Sequence, residues 1–224
     1  MANEIILYHH LGLGDHFVCN GLVNYLSEKN EYKIHLICKQ QYFRTISSLY
    51  SDNKRIIVHP ISCIDDNCSN EISTVNEFSK EMNIPILRVG FNSCDPYNWD
   101  RSFYKQLDIP FDVRYSYFRL PSLVENMLPV PDKDYILIHD STRIKKYDLN
   151  IESNYHHMHV VDGLTDNMLC YLNAIYGAKE IHCVNSSFFH LVDSISDING
   201  KLYYYDVRNT DATRFNMDEL KWNK

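Results

Sequence analysis

The chain has 224 residues, with 22 lysines and arginines against 29 aspartates and glutamates, for a formal net charge of −7. Hydrophobic residues make up 45% and charged residues 23%, a globular balance that excludes a disordered tail, a coiled coil and a collagen-like repeat. The acidic excess argues against a general nucleic-acid binder, whose phosphate partner calls for clustered lysine and arginine.

Short apolar runs alternate with segments of helical period, the pattern of a parallel α/β sheet. Ile5–Tyr8 reads as a buried strand followed by a glycine-containing turn. From Asp15 to Lys29 the apolar residues Val18, Leu22, Tyr25 and Leu26 recur at helical spacing. Ile34–Cys38 is the next strand, Tyr42–Tyr50 a helix, Arg55–His59 a strand, Ile72–Met82 a helix and Ile86–Val89 a fourth strand. Periodicity assigns no element to the aromatic stretch Tyr97–Phe118. Pro121, Pro129 and Pro131 then interrupt any helix or central strand, because proline has no backbone donor, and they mark a linker. The alternation restarts with strands at Tyr135–His139 and His157–Val161, a helix at Asn167–Tyr176 and a strand at Glu180–Val184. A helix at Ser187–Ile195, a strand at Leu202–Val207 and a closing helix at Met217–Trp222 complete the pattern. The expectation is two successive α/β domains, residues 1–128 and 129–224.

No stretch reaches the roughly 18 consecutive apolar residues of a membrane span. The start, Met1 to Glu4, lacks the basic segment and cleavage site of a signal peptide. Of the seven cysteines, Cys19, Cys38, Cys170 and Cys183 lie in apolar periodic segments, as buried thiols do. Cys63 and Cys68 are not spaced as a CxxC pair, and no second pair completes a zinc site. A reducing, cytoplasmic setting is expected.

Three segments carry candidate chemistry, each at the carboxyl end of a predicted strand, where open parallel sheets bind ligands. The first is His10-Leu11-Gly12-Leu13-Gly14-Asp15-His16. Gly12 and Gly14 allow close approach of backbone to ligand, but Phe17 stands where a dinucleotide fingerprint has its third glycine. Asp15 is read either as a helix cap or as a general base taking a proton from an acceptor hydroxyl, with His16 as the alternative base. The second is Asp140-Ser141-Thr142-Arg143-Ile144-Lys145-Lys146, whose hydroxyls and cations suit a phosphate or a solvated basic loop equally. The third is Asn185-Ser186-Ser187, leading to His190. Small polar residues opening a helix expose backbone N–H groups, an arrangement suited to a diphosphate, although simple capping needs no ligand.

Together these segments resemble the heptosyltransferase-like glycosyltransferases. Gly12-Leu13-Gly14-Asp15 before an apolar helix resembles their N-terminal signature. Thr142-Arg143-Ile144-Lys145-Lys146 resembles their threonine–arginine–x–x–lysine segment, and Val184-Asn185-Ser186-Ser187-Phe188-Phe189-His190-Leu191 their nucleotide-diphosphate loop. The sequence departs from the family pattern at Asn185, where an acidic residue is preferred, and at Phe188, where glycine is preferred. The resemblance implies a GT-B-like fold, two Rossmann-like domains facing across a cleft. It implies an acceptor-side first domain and a second domain that binds a nucleotide-sugar co-substrate, with no obligatory metal. Asp15 would be the general base, and Lys146, with Thr142 and Arg143, would contact the donor phosphates. Gly14, Asn185, Ser186, Ser187 and His190 would complete the donor site. The implied reaction transfers a sugar, with inversion, from a nucleotide-diphosphate sugar to a glycan hydroxyl. A non-catalytic nucleotide- or carbohydrate-binding module of the same fold is the alternative.

Other residues invite weaker readings. His157 and His159 share a strand face with Asp162 nearby, but no third and fourth metal ligand stands at a distinctive spacing. Arg101 and Arg114 read as surface arginines lying on tyrosines, or as acceptor contacts; Trp99 and Tyr104 read as core or as sugar-stacking rings.

Overall fold

The computed structural model describes residues 4–223 apart from 65–67, 92–93, 96, 143–144 and 208–220. It contains two four-stranded sheets, parallel throughout.

The first sheet has the order β3-β2-β1-β4, from β1 (Glu4–Tyr8), β2 (Lys33–Lys39), β3 (Ile56–Ile61) and β4 (Ile86–Arg88). β1 and β2 are apolar on both faces, as strands covered on both sides are. Two connections run one way across the sheet, through α1 (Leu13–Lys29) and through a 3-10 turn (Gln40–Tyr42) leading into α2 (Phe43–Leu49). The third, through α3 (Glu71–Met82), runs back. Right-handed crossovers then place α3 on the opposite face. The cores agree: Ile5, Leu7, Ile34 and Leu36 pack with Phe17, Leu22 and Ile46, whereas Ile6, Tyr8 and Ile37 pack with Val75.

The aromatic stretch that has no period folds into two short helices, α4 (Trp99–Lys105) and α5 (Val113–Ser116). Both lean on α1, and Tyr104 donates from its hydroxyl to the Val18 carbonyl at 2.7 Å. Tyr104 is therefore core.

The second sheet has the order β6-β5-β7-β8, from β5 (Tyr135–His139), β6 (His156–His159), β7 (Glu180–Val184) and β8 (Lys201–Tyr205). A 3-10 turn (Met168–Tyr171) and α6 (Leu172–Gly177) join β6 to β7, and α7 (Ser187–Ser194) joins β7 to β8. These cover the face formed by Tyr135, Leu137, Ile181, Cys183, Leu202 and Tyr204. The closing helix expected at Met217–Trp222 lies outside the described residues up to 220. Trp222 is buried against Phe189, and Asn223 bridges to Tyr203.

Two expectations are corrected. Cys63 and Cys68 are joined as a disulfide, which the reading of a fully reduced chain did not foresee. Arg114 is not a surface residue but is 1% exposed. It donates to Asp100 at 2.8 Å and to Asp193 of α7 at 2.7 Å, and Trp222 donates to the other Asp193 oxygen at 3.0 Å. Burial opposes the guanidinium charge, but the Asp193 and Asp100 carboxylates outweigh it and hold Arg114 above its ordinary range. This network ties α4 and α5 to α7. Arg101, by contrast, lies over the Phe111 ring at 4.4 Å.

Candidate active site at the carboxyl edges of the two sheets

In an open α/β sheet, ligands bind where adjacent strands send their connections in opposite directions. Here those points fall between β1 and β4 in the first sheet and between β5 and β7 in the second. The predicted segments leave β1, β5 and β7, so the topology sets them at these two crevices.

The crevices meet because α1 and α7 pack against each other by their first turns. Gly14 makes this possible: a Cβ there would stand 2.8 Å from the His190 ring and 3.5 Å from Ser187 Cα. The structure thus brings Gly14, Ser187 and His190 together, with Asp15 next in the chain. Trp99 packs edge-on against His190 at 5.6 Å, which draws α4 to the same place.

Asp15 does not cap α1. The N-cap residue is Gly12, with no side-chain cap bond. The Asp15 carboxylate instead folds back over Gly12, where an added side chain would collide with Oδ2. Its Oδ1 faces His10 Nδ1 at 3.6 Å, and the side chain keeps 20% of its surface exposed. His16 is placed differently, fully buried and edge-on to His9 at 4.5 Å. Burial drives its pKa well below the ordinary histidine value, and neither ring nitrogen has a hydrogen-bond partner. A neutral ring sealed from solvent cannot reach an acceptor hydroxyl. His9 is likewise buried, its pKa pushed down to about 4, and its Nδ1 donates to the His10 carbonyl.

On the second sheet, Ser186 is the N-cap of α7 and accepts from the Phe189 N–H at 3.2 Å. His190 N–H goes to the Ser186 carbonyl. The Ser187 and Phe188 amides therefore stand at the helix start without intrahelical acceptors. Ser186 Oγ also meets His139 Nδ1 at 3.2 Å, and the His139 ring stacks on Phe188. This clamps the end of β5 to the start of α7. Burial lowers the His139 pKa, so the ring bonds as a neutral group. Asn185 is buried at the end of β7.

The turn after β5 is tight: Thr142 N–H donates to the Lys145 carbonyl, and Ser141 bridges to Lys146. Thr142 is buried in it, and Arg143 lies outside the described residues. The Lys146 ammonium faces Asp140 at 3.4 Å, and His159 faces the same carboxylate oxygen at 3.3 Å. Both basic residues line a concavity of about 700 Å3 together with His157 and Ile138. Ser141 donates to Asp162 at 2.9 Å. Among the described residues, no group of three or more histidine, cysteine, aspartate or glutamate side chains could hold a metal ion.

Sequence reasoning missed His10, His139 and Asp140 as partners of the candidate residues. The histidine doublet His9-His10 directly after β1 was the available signal.

No protein-family model matches the chain, and no curated protein matches it. Solved structures do. The chain superposes on TibC, the iron-containing dodecameric glycosyltransferase of enterotoxigenic E. coli H10407, with TM-score 0.56 and 12% identity over 91% of this chain. It matches the family 9 glycosyl transferase of Veillonella parvula DSM 2008 with TM-score 0.58 and 10% identity over 90% of this chain. This is the GT-B glycosyltransferase fold. E. coli heptosyltransferase WaaC, solved with ADP-2-deoxy-2-fluoro heptose, shares the GT-B fold at TM-score 0.50, with 9% identity over 90% of this chain. The chain spans 58% of the TibC chain, 80% of the Veillonella chain and 87% of the WaaC chain. Among the described residues, no helix is long and apolar enough to cross a membrane.

Proposed function

We propose that this protein is a glycosyltransferase that moves a sugar from a nucleoside diphosphate sugar to a hydroxyl of a glycan acceptor. The observation that carries this reading is the meeting of the two helix starts at Gly14. It packs the start of α1, which carries Asp15, against the start of α7, where the Ser187 and Phe188 amides have no intrahelical acceptor. A base on one helix start and an anion site on the other are what a displacement with a diphosphate leaving group requires. The GT-B fold supports the same reading.

The acceptor hydroxyl gives its proton to Asp15 as its oxygen forms the new bond to the anomeric carbon. The bond from that carbon to the diphosphate oxygen breaks, and its electron pair leaves with the diphosphate. One displacement inverts the anomeric centre. Ser187 and Phe188 amides, at the positive end of α7, receive the leaving charge. Ser186 holds that helix start, and Asn185 and His190 flank it. Lys146, with Thr142 and Arg143, supplies the further donor contacts. These groups carry the charge with no obligatory metal, so turnover is expected to persist in EDTA. The residues 1–128 take the acceptor and residues 129–224 the donor. A cytoplasmic setting belongs to the same reading, with five cysteines as thiols and the Cys63–Cys68 pair joined.

The test begins with thermal shifts in UDP, GDP, ADP and CDP, followed by nucleoside diphosphate release from the matching nucleotide sugar. One nucleotide should stabilise the protein. Asp15→Asn should keep that shift while turnover falls about 10²- to 10⁴-fold. Stabilisation without turnover in the unaltered protein would make it a binding module, and stabilisation by none of the four would overturn the donor site.

A further inference from the structure

His10 lies two residues beyond the end of β1 and faces across the crevice to the segment that follows β4. The backbone there turns sharply: Gly90 has φ 95° and Phe91 φ 60°. Phenylalanine rarely occupies this left-handed region, and such strain persists only where surrounding structure enforces it. The turn aims the Phe91 N–H at His10 Nε2, which accepts at 2.8 Å. A side chain on Gly90 would press on the same Nε2 at 3.1 Å and on Phe103 at 2.8 Å. The imidazole is also held edge-on by Phe91 at 5.0 Å and by Phe103 at 5.4 Å. Its plane, its rotation and one of its nitrogens are therefore all committed.

This has a chemical consequence. A neutral imidazole carries one proton, and the nitrogen that accepts from a backbone N–H is not the one that bears it. The proton of His10 must sit on Nδ1, the nitrogen facing Asp15 Oδ1 at 3.6 Å. The arrangement is opposite to a dyad in which histidine is the base, because Nε2 is already occupied. The 3.6 Å gap is longer than a hydrogen bond, so Oδ1 is attracted without being consumed, and catalytic bonds of this kind tighten when substrate binds. The other carboxylate oxygen lies in the space that Gly12 leaves open.

We propose that His10 is a positioning residue: Phe91 fixes it as the Nδ1–H tautomer, and that N–H orients the Asp15 carboxylate. The inference rests on Asp15 being the base. Its first test does not. Long-range 1H–15N spectra taken at about pH 8.5, where histidines are neutral, distinguish the two tautomers, and the His10 signals are those lost on its substitution. The Nδ1–H form is expected for His10; the Nε2–H form would overturn the proposal whatever the activity.

The second test compares three variants by nucleoside diphosphate release. An asparagine amide nitrogen stands as many bonds from Cα as Nδ1 does, whereas a glutamine amide stands at the position of Nε2. His10→Ala should lower kcat about 10- to 100-fold, the cost of a misplaced reacting group, with the donor KM unchanged. His10→Asn should recover much of the loss, and His10→Gln should not. Equal losses in all three, tracking their melting points, would reduce His10 to a structural residue. Normal turnover in all three, with Asp15→Asn inactive, would remove His10 and leave the base in place. Full turnover in Asp15→Asn would instead overturn the base, while the tautomer result stood.

Discussion

The two sheets obey one topological rule yet are covered differently. The first has helices on both faces, α1 and α2 on one and α3 on the other. Among the described residues, the second has α6 and α7 on one face only, because the β5–β6 connection, residues 140–155, contains no helix there. Its other face carries Ile136 and Ile138 flanked by His157, His159, Glu180, His182, Tyr203 and Tyr205. There His182 stacks on Tyr203 at 4.6 Å, meets the Tyr205 hydroxyl at 2.8 Å and meets Glu180 at 3.2 Å. A bonded layer of rings and carboxylates stands where a crossover helix would pack. Parallel strands need cover on both faces, but the cover need not be a helix when the strand's own side chains satisfy one another.

The difference raises the question of whether the second half stands alone, and the Arg114 network answers it most directly. Arg114→Met would leave the Asp100 and Asp193 carboxylates buried without their cation, at an expected cost of about 3–5 kcal/mol. Denaturant titration should still show one transition, with hydrogen-exchange protection falling in β1 and β7 alike. Loss confined to one sheet would mean that the halves fold independently.

The histidines give the next largest contrast. Those of the second sheet, His139 and His182, are hydrogen-bonded, whereas His16 under the first is buried with neither ring nitrogen hydrogen-bonded. His9 has a folded pKa of about 4, below its unfolded value. The unfolded chain therefore binds the proton first, and stability falls as the pH drops from about 6.5 towards 4. His9 alone contributes about 3 kcal/mol to this loss, and His16 adds to it. Urea midpoints at several pH values check the trend, and a midpoint flat across this window would contradict it.

Gly14→Ala is expected to have a smaller effect. The added methyl forces His190 or α7 to shift, which costs about 1–3 kcal/mol. If α1 and α7 were loosely apposed, the melting point would rise instead, through better helix propensity.

The strands were the most legible part of the sequence. Tyr135–His139 and Glu180–Val184 end where the apolar runs end. The face without a packed helix is written in the alternation of Glu180-Ile181-His182-Cys183, against the unbroken Ile5-Ile6-Leu7 of β1. α4 and α5 had no period to read, because they are held by tertiary bonds. Arg114 looks like a surface residue in sequence since its partners lie 14 and 79 positions away. The candidate site was legible as three loops at strand ends. Its inner order was not: His10 and Phe91 are 81 residues apart, and the burial of His16, one residue from Asp15, depends on which side of α1 faces the core.

Gly14 and His190 have a consequence for how this chain can diverge. The two positions share one volume, so neither can change size freely. Among relatives, residue 14 should remain glycine wherever position 190 holds a ring, and alanine or serine should be found there only beside a smaller partner. Inheritance at these sites is joint, and a pair of substitutions neutral together passes through a single one that is not.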